Sequence, residues 1–147
     1  MIKCSFENGH QALLRHITMV AIIVRDHKIL LVKRAAHSLE GNKYALPGGY
    51  MNRDETLAQG IAREVHEETG YETVSSKLFR IVDNPDRPRE DTQNVDFVFL
   101  VEIGEKTGEH DDEIQEAKWF PFDQLPDDDE MAFDHIEDIR AYLKTLE

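Results

Sequence analysis

A short acidic helix, predicted directly after a glycine-rich loop, is the sequence feature that most restricts how this chain can fold. Thr56 and Gln59 stand at the spacing of a capping box, and Gly70 suits the left-handed residue that ends a helix. The spacing therefore predicts a helix from about Thr56 to Thr69. Its apolar positions share one face: Leu57, Ala58, Ile61, Ala62 and Val65.

Three carboxylates lie beside that apolar face. At about 100° per residue, Glu64, Glu67 and Glu68 fall within one sector roughly 100° wide. Like charges three or four residues apart destabilise a helix, so a cation is expected among them. Mg²⁺ or Mn²⁺ suits such oxygen ligands and completes its shell with water and substrate phosphate oxygens. The pattern predicts a divalent-metal site for a phosphate substrate, with a merely solvated acidic face as the alternative.

A longer spaced pattern surrounds these carboxylates. It reads Gly49, five residues, Glu55, seven residues, then Arg63-Glu64-Val65-x-Glu67-Glu68-x-Gly70-Tyr71. This pattern resembles the signature box of the Nudix hydrolases. Tyr44 to Gly49 is similar to the family's strand-and-loop entry, and Trp119 to Pro126 is similar to its last strand and exit. The resemblance covers roughly residues 17 to 126. It implies an α/β fold, the Nudix α/β/α sandwich, with a mixed β-sheet between helices.

The resemblance also implies a reaction and a set of site residues. Family members split a nucleoside diphosphate linked to another group, by attack of a metal-held water on phosphorus. The implied metal ligands are the Gly48 carbonyl, Glu64, Glu67 and Glu68. Arg63 is implied to orient Glu67, and Glu55 to tie the loop to the helix. We therefore expect a Mg²⁺-dependent or Mn²⁺-dependent pyrophosphohydrolase.

The general base is open between two glutamates. Glu113 is the first expectation, because it lies six residues before Trp119, the offset at which similar members carry a loop glutamate. Asp111 and Asp112 adjoin it, and an ordinary charged loop is the other interpretation. Glu64 is the alternative base, a role that it has in some subfamilies.

Arginines are the candidate phosphate ligands, because guanidinium groups match phosphate oxygens. The candidates are Arg34, Arg80, Arg87 and Arg89; each is alternatively an ordinary surface arginine. The segment Asn84 to Arg89 loosely resembles a loop of Nudix enzymes that cleave ADP-ribose. ADP-ribose, split to AMP and ribose 5-phosphate, is therefore the expected substrate. Nucleoside triphosphates, dinucleotides and nucleotide sugars are alternatives, and a non-catalytic nucleotide-sensing regulatory module is an alternative of another class.

Composition restricts the partners. The 147 residues, 40% of them apolar, suit one core, so a single domain over 1–147 is expected. A net charge of −13 argues against binding a nucleic-acid duplex or an anionic membrane. The lone Cys4 and the lack of a membrane-spanning run or secretory signal predict a cytoplasmic protein. Similar enzymes often pair, which makes a homodimer one expectation.

Apolar patterning predicts several strands and a closing helix. The predicted strands are Thr18–Val24, Lys28–Lys33, Glu72–Val82, Val95–Val101 and Glu113–Phe120, with a short segment at Lys43–Leu46. Met1 to His10 and Asp83 to Asn94 are polar. Asp134 with Glu137 is expected to open the last helix, whose apolar stripe is Ile136, Ile139, Tyr142, Leu143 and Leu146.

Overall fold

The computed structural model describes residues 1–87 and 93–147. In chain order the described elements are β1 Ile2–Ser5, β2 Gln11–Leu14, β3 Ile17–Arg25, β4 Lys28–Arg34, β5 Tyr44–Ala45, β6 Gly48–Tyr50, α1 Leu57–Thr69, β7 Tyr71–Val82, β8 Val95–Lys106, β9 Ile114–Pro121 and α2 His135–Leu143. Strands β3 to β9 form the main sheet, and β1 with β2 forms a separate hairpin.

The main sheet is mixed and is organised around β3. Its path runs β5-β4-β3-β8-β7, with β6 also paired to β3 and β9 to β4. The pair β3 and β8 is parallel. The pairs of β3 with β4 and β6 are antiparallel, as is that of β7 with β8.

Both faces of β3 are buried, which explains its continuous apolar sequence. Met19, Ala21 and Ile23 pack with Ile61 and Val65 of α1 on one face. On the other face, Val20 and Ile22 belong to the cluster that contains Ile136 and Ile139 of α2. Successive strand residues point to opposite faces, so the sheet lies between the two helices. The predicted α/β/α sandwich is confirmed.

Helix α1 begins and ends where the sequence predicts. The Thr56 hydroxyl accepts a hydrogen bond from the Gln59 amide, and the Gln59 side chain accepts one from the Thr56 amide, which completes the capping box. Gly70 has φ of 73° and donates its N–H to the His66 carbonyl at 2.8 Å. A short capped helix thus places the three carboxylates in a fixed order.

Several boundaries differ from expectation at the amino-terminal side. The segment expected only to be polar contributes β1, which pairs with β2 from Ile2 opposite Leu14 to Ser5 opposite Gln11. The expected glycine loop is partly a strand, since β6 begins at Gly48 and pairs with β3. Backbone pairing, which side-chain patterning does not report in so short a segment, accounts for both differences.

The last two elements also differ in detail. Strand β8 continues beyond its apolar run to Lys106, because β7 pairs with it along that length. The Asp134 side chain makes no capping hydrogen bond to α2; its carboxylate instead accepts two hydrogen bonds from Arg87. Helix α2 ends at Leu143, so Leu146 lies outside the stripe and is exposed. Neither described helix is both long and apolar enough to cross a bilayer.

Candidate active site

A cleft of about 400 Å³ lies beside β6 and the carboxyl-terminal half of α1. Its acidic end is lined by five carboxylates: Glu64, Glu67, Glu68, Asp111 and Glu113. Three come from α1, and two come from the segment 107–113 that joins β8 to β9. The structure therefore brings the predicted metal-binding glutamates and the predicted base to one cleft.

Glu68 is the most buried of these carboxylates. It is 6% exposed and accepts a hydrogen bond from the Gly48 amide at 2.8 Å. Burial raises the pKa of Glu68 to about 8, and the charges of Glu64 and Asp111 add to this effect, while the Gly48 N–H and Arg34 oppose it. Loss of water is the main cause, because burial disfavours the charged form of a carboxyl group. The Gly48 N–H and Arg34 therefore offset the effect of burial only in part.

Arg63 holds the other acidic groups of the helix. Its guanidinium donates to Glu55 at 2.7 and 3.0 Å, to Glu64 at 2.8 Å and to Glu67 at 2.9 Å. It also donates to the Tyr50 carbonyl at 3.1 Å. The hydrogen bonds from Arg63 lower the pKa of Glu55, with a further contribution from the Asn52 amide. One arginine thus joins the β6 strand, the helix start and two candidate metal ligands.

The Glu64 carboxylate packs closely against Gly49. A Cβ atom at Gly49 would lie 2.5 Å from Glu64 Oε1, closer than non-bonded atoms can approach. Burial raises the pKa of Glu64, and the charges of Glu67 and Glu113 add to this, while Arg63 opposes it. The spacing from Gly49 to Glu64 in the sequence pattern therefore has a direct steric reason.

The segment 107–113 is fastened to the end of α1. The amides of Thr107 and Gly108 donate to the Gly70 carbonyl at 2.8 and 3.1 Å, and the Asp111 amide donates to the Glu67 carbonyl at 2.9 Å. The Asp111 carboxylate in turn accepts a hydrogen bond from the Glu113 amide at 3.0 Å. These bonds use carbonyls that a helix end leaves without internal partners, and they hold both acids beside the helix.

The rest of the cleft lining, called the less acidic end below, comes from other segments. Its lining includes Thr18, Arg34, Leu39, Tyr50, Asn94, Asp96, Phe133 and His135. The Arg34 guanidinium carbon lies 5.2 Å from the centre of the Phe133 ring, within the range of a cation–π contact. Of this end, only Arg34 is predicted from the sequence. The others have no local motif, because they meet only through the fold.

The four predicted phosphate-binding arginines have different placements. Arg34 lines the cleft. Arg80 lies 3.5 Å from the Asp138 carboxylate, and Arg87 is buried between Asp96 and Asp134 at 2.5 and 2.6 Å. Arg80 and Arg87 are not in the cleft lining; they pair with Asp138 of α2, with Asp96 of β8 and with Asp134, which precedes α2. The fourth, Arg89, lies outside the described residues.

The acidic end fits a hard divalent cation in its chemistry. Its donors are carboxylate oxygens, which Mg²⁺ and Mn²⁺ prefer, and the raised pKa of Glu68 marks a buried acid that a cation would return to its charged form. Among residues 1–87 and 93–147, no three acidic, histidine or cysteine side chains converge as a closed ligand set. Glu64 and Glu67 instead contact Arg63. The assignment of Gly48, Glu64, Glu67 and Glu68 as ligands stays a prediction.

Comparison with known proteins gives a consistent set of relatives. The NUDIX domain family model matches residues 14–142. An ADP-ribose pyrophosphatase of Methanocaldococcus jannaschii is 36% identical over 130 residues, which are 87% of this chain and 73% of the relative. The NAD-capped RNA hydrolase NudC of Haemophilus influenzae is 35% identical over 112 residues, which are 75% of this chain. This chain covers only 41% of that second relative.

A solved structure agrees with these relatives. It is a bifunctional NMN adenylyltransferase/ADP ribose pyrophosphatase from Francisella tularensis, complexed with AMP and a manganese ion. It matches with a TM-score of 0.66 and 28% identity, over 90% of this chain and 42% of that chain. The similarity therefore spans nearly all of the present fold and less than half of the neighbour.

Proposed function

This chain belongs to the Nudix hydrolase family, and from that premise we propose that it hydrolyses ADP-ribose to AMP and ribose 5-phosphate with Mg²⁺. At the level of reaction class it is a pyrophosphohydrolase of nucleoside diphosphate derivatives. The observation that carries the proposal is the cleft itself, which joins five carboxylates to an end lined by Arg34, Asn94 and Phe133. Its volume of about 400 Å³ lies in the range of small-molecule sites.

The choice of ADP-ribose has two supports. The Methanocaldococcus relative is named an ADP-ribose pyrophosphatase, and the chain covers 73% of its length. The Francisella neighbour carries AMP, the expected product, and a manganese ion. A dinucleotide is the second candidate substrate, because the Haemophilus relative is named for an NAD cap. The expected cytoplasmic location, homodimer and lack of nucleic-acid binding stay predictions.

We assign the residues of the acidic end as follows. Glu64, Glu67, Glu68 and the Gly48 carbonyl would hold Mg²⁺, which when bound polarises phosphoryl oxygens and acidifies a water. Arg63 orients Glu64 and Glu67 through the hydrogen bonds described above, and Glu55 in turn holds Arg63. These hydrogen bonds around Arg63 hold the carboxylates of Glu64 and Glu67 in position.

Glu113 is the proposed base. A water oxygen forms a bond to one phosphorus, the bridging P–O bond breaks, and the proton of the water passes to the Glu113 carboxylate. Asp111 and the contacts of the segment with α1 keep Glu113 at the cleft. Glu64 is the alternative base, but its carboxylate is held by Arg63 and is assigned here as a metal ligand.

A substrate panel tests the proposal. Purified protein with Mg²⁺ is given ADP-ribose, NAD⁺, a nucleoside triphosphate and a nucleotide sugar, and the products are separated by ion-exchange chromatography. AMP and ribose 5-phosphate from ADP-ribose are the expected products. Turnover of triphosphates alone would reject the substrate assignment while leaving the reaction class intact.

Two matched variants test the site. Glu67→Gln is expected to lower kcat by orders of magnitude, whereas Glu109→Gln, an exposed glutamate outside the cleft lining, makes the same charge change and should keep wild-type turnover. If Glu113 is the base, Glu113→Gln should lower kcat at neutral pH and remove the fall in kcat that the wild type shows as the base becomes protonated at low pH. Wild-type activity in Glu67→Gln would reject the assignment of the acidic end.

A further inference from the structure

His135 is a buried side chain of the cleft that neither the sequence pattern nor the assigned chemistry uses. It is 6% exposed and lies at the start of α2, in the lining of the less acidic end. Its Nδ1 accepts a hydrogen bond from the Leu46 amide at 3.1 Å. An acceptor nitrogen carries no hydrogen, so this contact places the ring hydrogen on Nε2 when the ring is neutral.

The ring is held neutral at working pH. Burial lowers the pKa of His135 to about 4, and the positive charges of Arg87 and Arg34 act in the same direction, while Asp134 opposes them. A neutral imidazole with Nδ1 occupied has one remaining polar group, the Nε2–H donor. Within the described residues this donor has no hydrogen-bond partner. The described side-chain atoms that are both fully buried and unpartnered do not include Nε2, so Nε2 retains some exposed surface. Since the side chain lines the cleft, Nε2–H is available to a ligand there.

The segment that carries His135 is rigidly positioned. The Ala132 amide donates to the Tyr44 carbonyl at 2.7 Å, and the Tyr44 amide donates to the Glu130 carbonyl at 2.8 Å. Between them, Met131 forms a bridge with Tyr44. The segment 130–132 is therefore fixed alongside β5, and the residues that follow it enter the cleft in one orientation.

Phe133 provides an independent sign that this segment serves a ligand. Its φ of 53° is a left-handed conformation that a bulky residue rarely adopts. Such backbone outliers persist where the surrounding structure enforces them, and they concentrate at ligand sites. The Phe133 ring lies 5.4 Å from the His135 ring and 5.2 Å from the Arg34 guanidinium carbon. An apolar ring, a cation and a neutral donor thus meet at one end of the cleft.

We infer that His135 is a substrate-binding residue whose Nε2–H donates to an uncharged oxygen or nitrogen acceptor on the nucleoside or sugar part of the substrate. The Phe133 ring, 5.4 Å from the His135 ring, gives this part of the cleft an apolar surface, which suits a base or a sugar better than a charged phosphate. The acceptor therefore belongs to the part of the substrate that distinguishes one nucleoside diphosphate derivative from another. The inference rests on the proposed function for the identity of that substrate.

Two substitutions separate the donor from the structural contact. His135→Asn retains an acceptor for the Leu46 amide near the position of Nδ1 but has no donor at Nε2. His135→Gln places an amide N–H near Nε2 and loses the acceptor for Leu46. If the donor binds substrate, His135→Asn raises KM about three- to tenfold, as expected for one hydrogen bond, with little change in kcat. His135→Gln keeps a KM nearer to that of wild type despite a lower melting temperature.

A purely structural role predicts the opposite order, because the variant that loses the Leu46 contact would then be the more impaired. Wild-type KM in a folded His135→Asn protein would overturn the inference. If the wild type cleaves another substrate of the panel rather than ADP-ribose, the same comparison is made with that substrate. Failure of the substrate assignment and failure of the His135 assignment thus give different results.

Nitrogen-15 spectra of the wild-type histidines provide a test without substitution. His135 should show the Nε2–H tautomer from pH 6 to 8, and titration with AMP or with ribose 5-phosphate should move its Nε2–H resonance. Movement with one product and not the other identifies the half of the substrate that His135 contacts. A charged ring at pH 7, or a resonance that neither product moves, would overturn the inference.

Discussion

Glu68→Gln is expected to stabilise the metal-free protein while it abolishes turnover. Glu68 is buried, and its pKa is raised from 4.5 to about 8. A carboxyl group whose pKa is raised by folding stabilises the folded state fully below its unfolded pKa, and this contribution is lost as pH rises toward its folded pKa. Glutamine is neutral at every pH and keeps an oxygen for the Gly48 amide. Glutamine therefore avoids the free-energy cost of a buried charge and keeps the hydrogen bond from the Gly48 amide.

The magnitude follows from the pKa difference. Between pH 4.5 and pH 7.5, an acid with these pKa values makes folding less favourable by up to about 4 kcal/mol. Local relaxation reduces this bound, so we expect Glu68→Gln to gain about 2 kcal/mol in unfolding free energy at pH 7.5. For a chain of 147 residues, that gain raises Tm by roughly 4–8 °C. At pH 4.5 the gain should be close to zero.

Urea unfolding in EDTA at the two pH values measures this difference. Glu67→Gln is the matched control, because it removes the same charge from the same helix at a side chain that is 45% exposed. Its unfolding free energy should change little, as for other exposed ion pairs. Added Mg²⁺ should stabilise the wild type, by about 2 kcal/mol at thirty times its Kd, and should stabilise neither variant comparably. An equal gain in the two variants, or an equal gain at both pH values, would refute the reasoning from burial.

Three further predictions concern residues outside the acidic end. Asp138→Asn should be more stable than wild type at pH 8 and not at pH 4 in urea unfolding, because burial raises the pKa of Asp138 to about 7; a pH-independent difference would contradict this. Arg87→Met should lower the unfolding free energy by about 3–5 kcal/mol, since it leaves two buried carboxylates without their guanidinium, yet leave KM nearly unchanged. Gly70→Ala should lower both Tm and kcat, because a Cβ there would lie 2.0 Å from the Gly108 carbonyl oxygen; wild-type kcat would show that the segment 107–113 does not depend on this close contact.

The features that the sequence predicts well are those set by local geometry. The capping box, Gly70 and the helical period decide the bounds of α1 and the common side of Glu64, Glu67 and Glu68. All of these depend on residues within one or two helical turns of each other. The close approach of Glu64 to Gly49 gives a physical reason for a glycine on the strand that faces this helix position.

The arginines show where local information ends. A guanidinium beside prolines in a polar loop resembles a phosphate ligand, and nothing near Arg87 in the sequence says otherwise. Its partners are Asp96, nine residues away, and Asp134, 47 residues away. The same chemistry that suits phosphate also suits two buried carboxylates, so only the fold decides between them. His135 is similar, because its tautomer is set by Leu46, 89 residues away.

The two ends of the cleft therefore differ in how they are built, and this difference explains why the reaction class is easier to predict than the substrate. The acidic end depends largely on one helix and on backbone contacts with the segment 107–113. The other end takes Thr18 from β3, Arg34 from β4 and Phe133 from the segment before α2. Substitutions at Phe133 or His135 can change substrate binding without moving the carboxylates of α1. We expect such substitutions to alter the KM ratio between ADP-ribose and other nucleoside diphosphate derivatives more than they alter kcat.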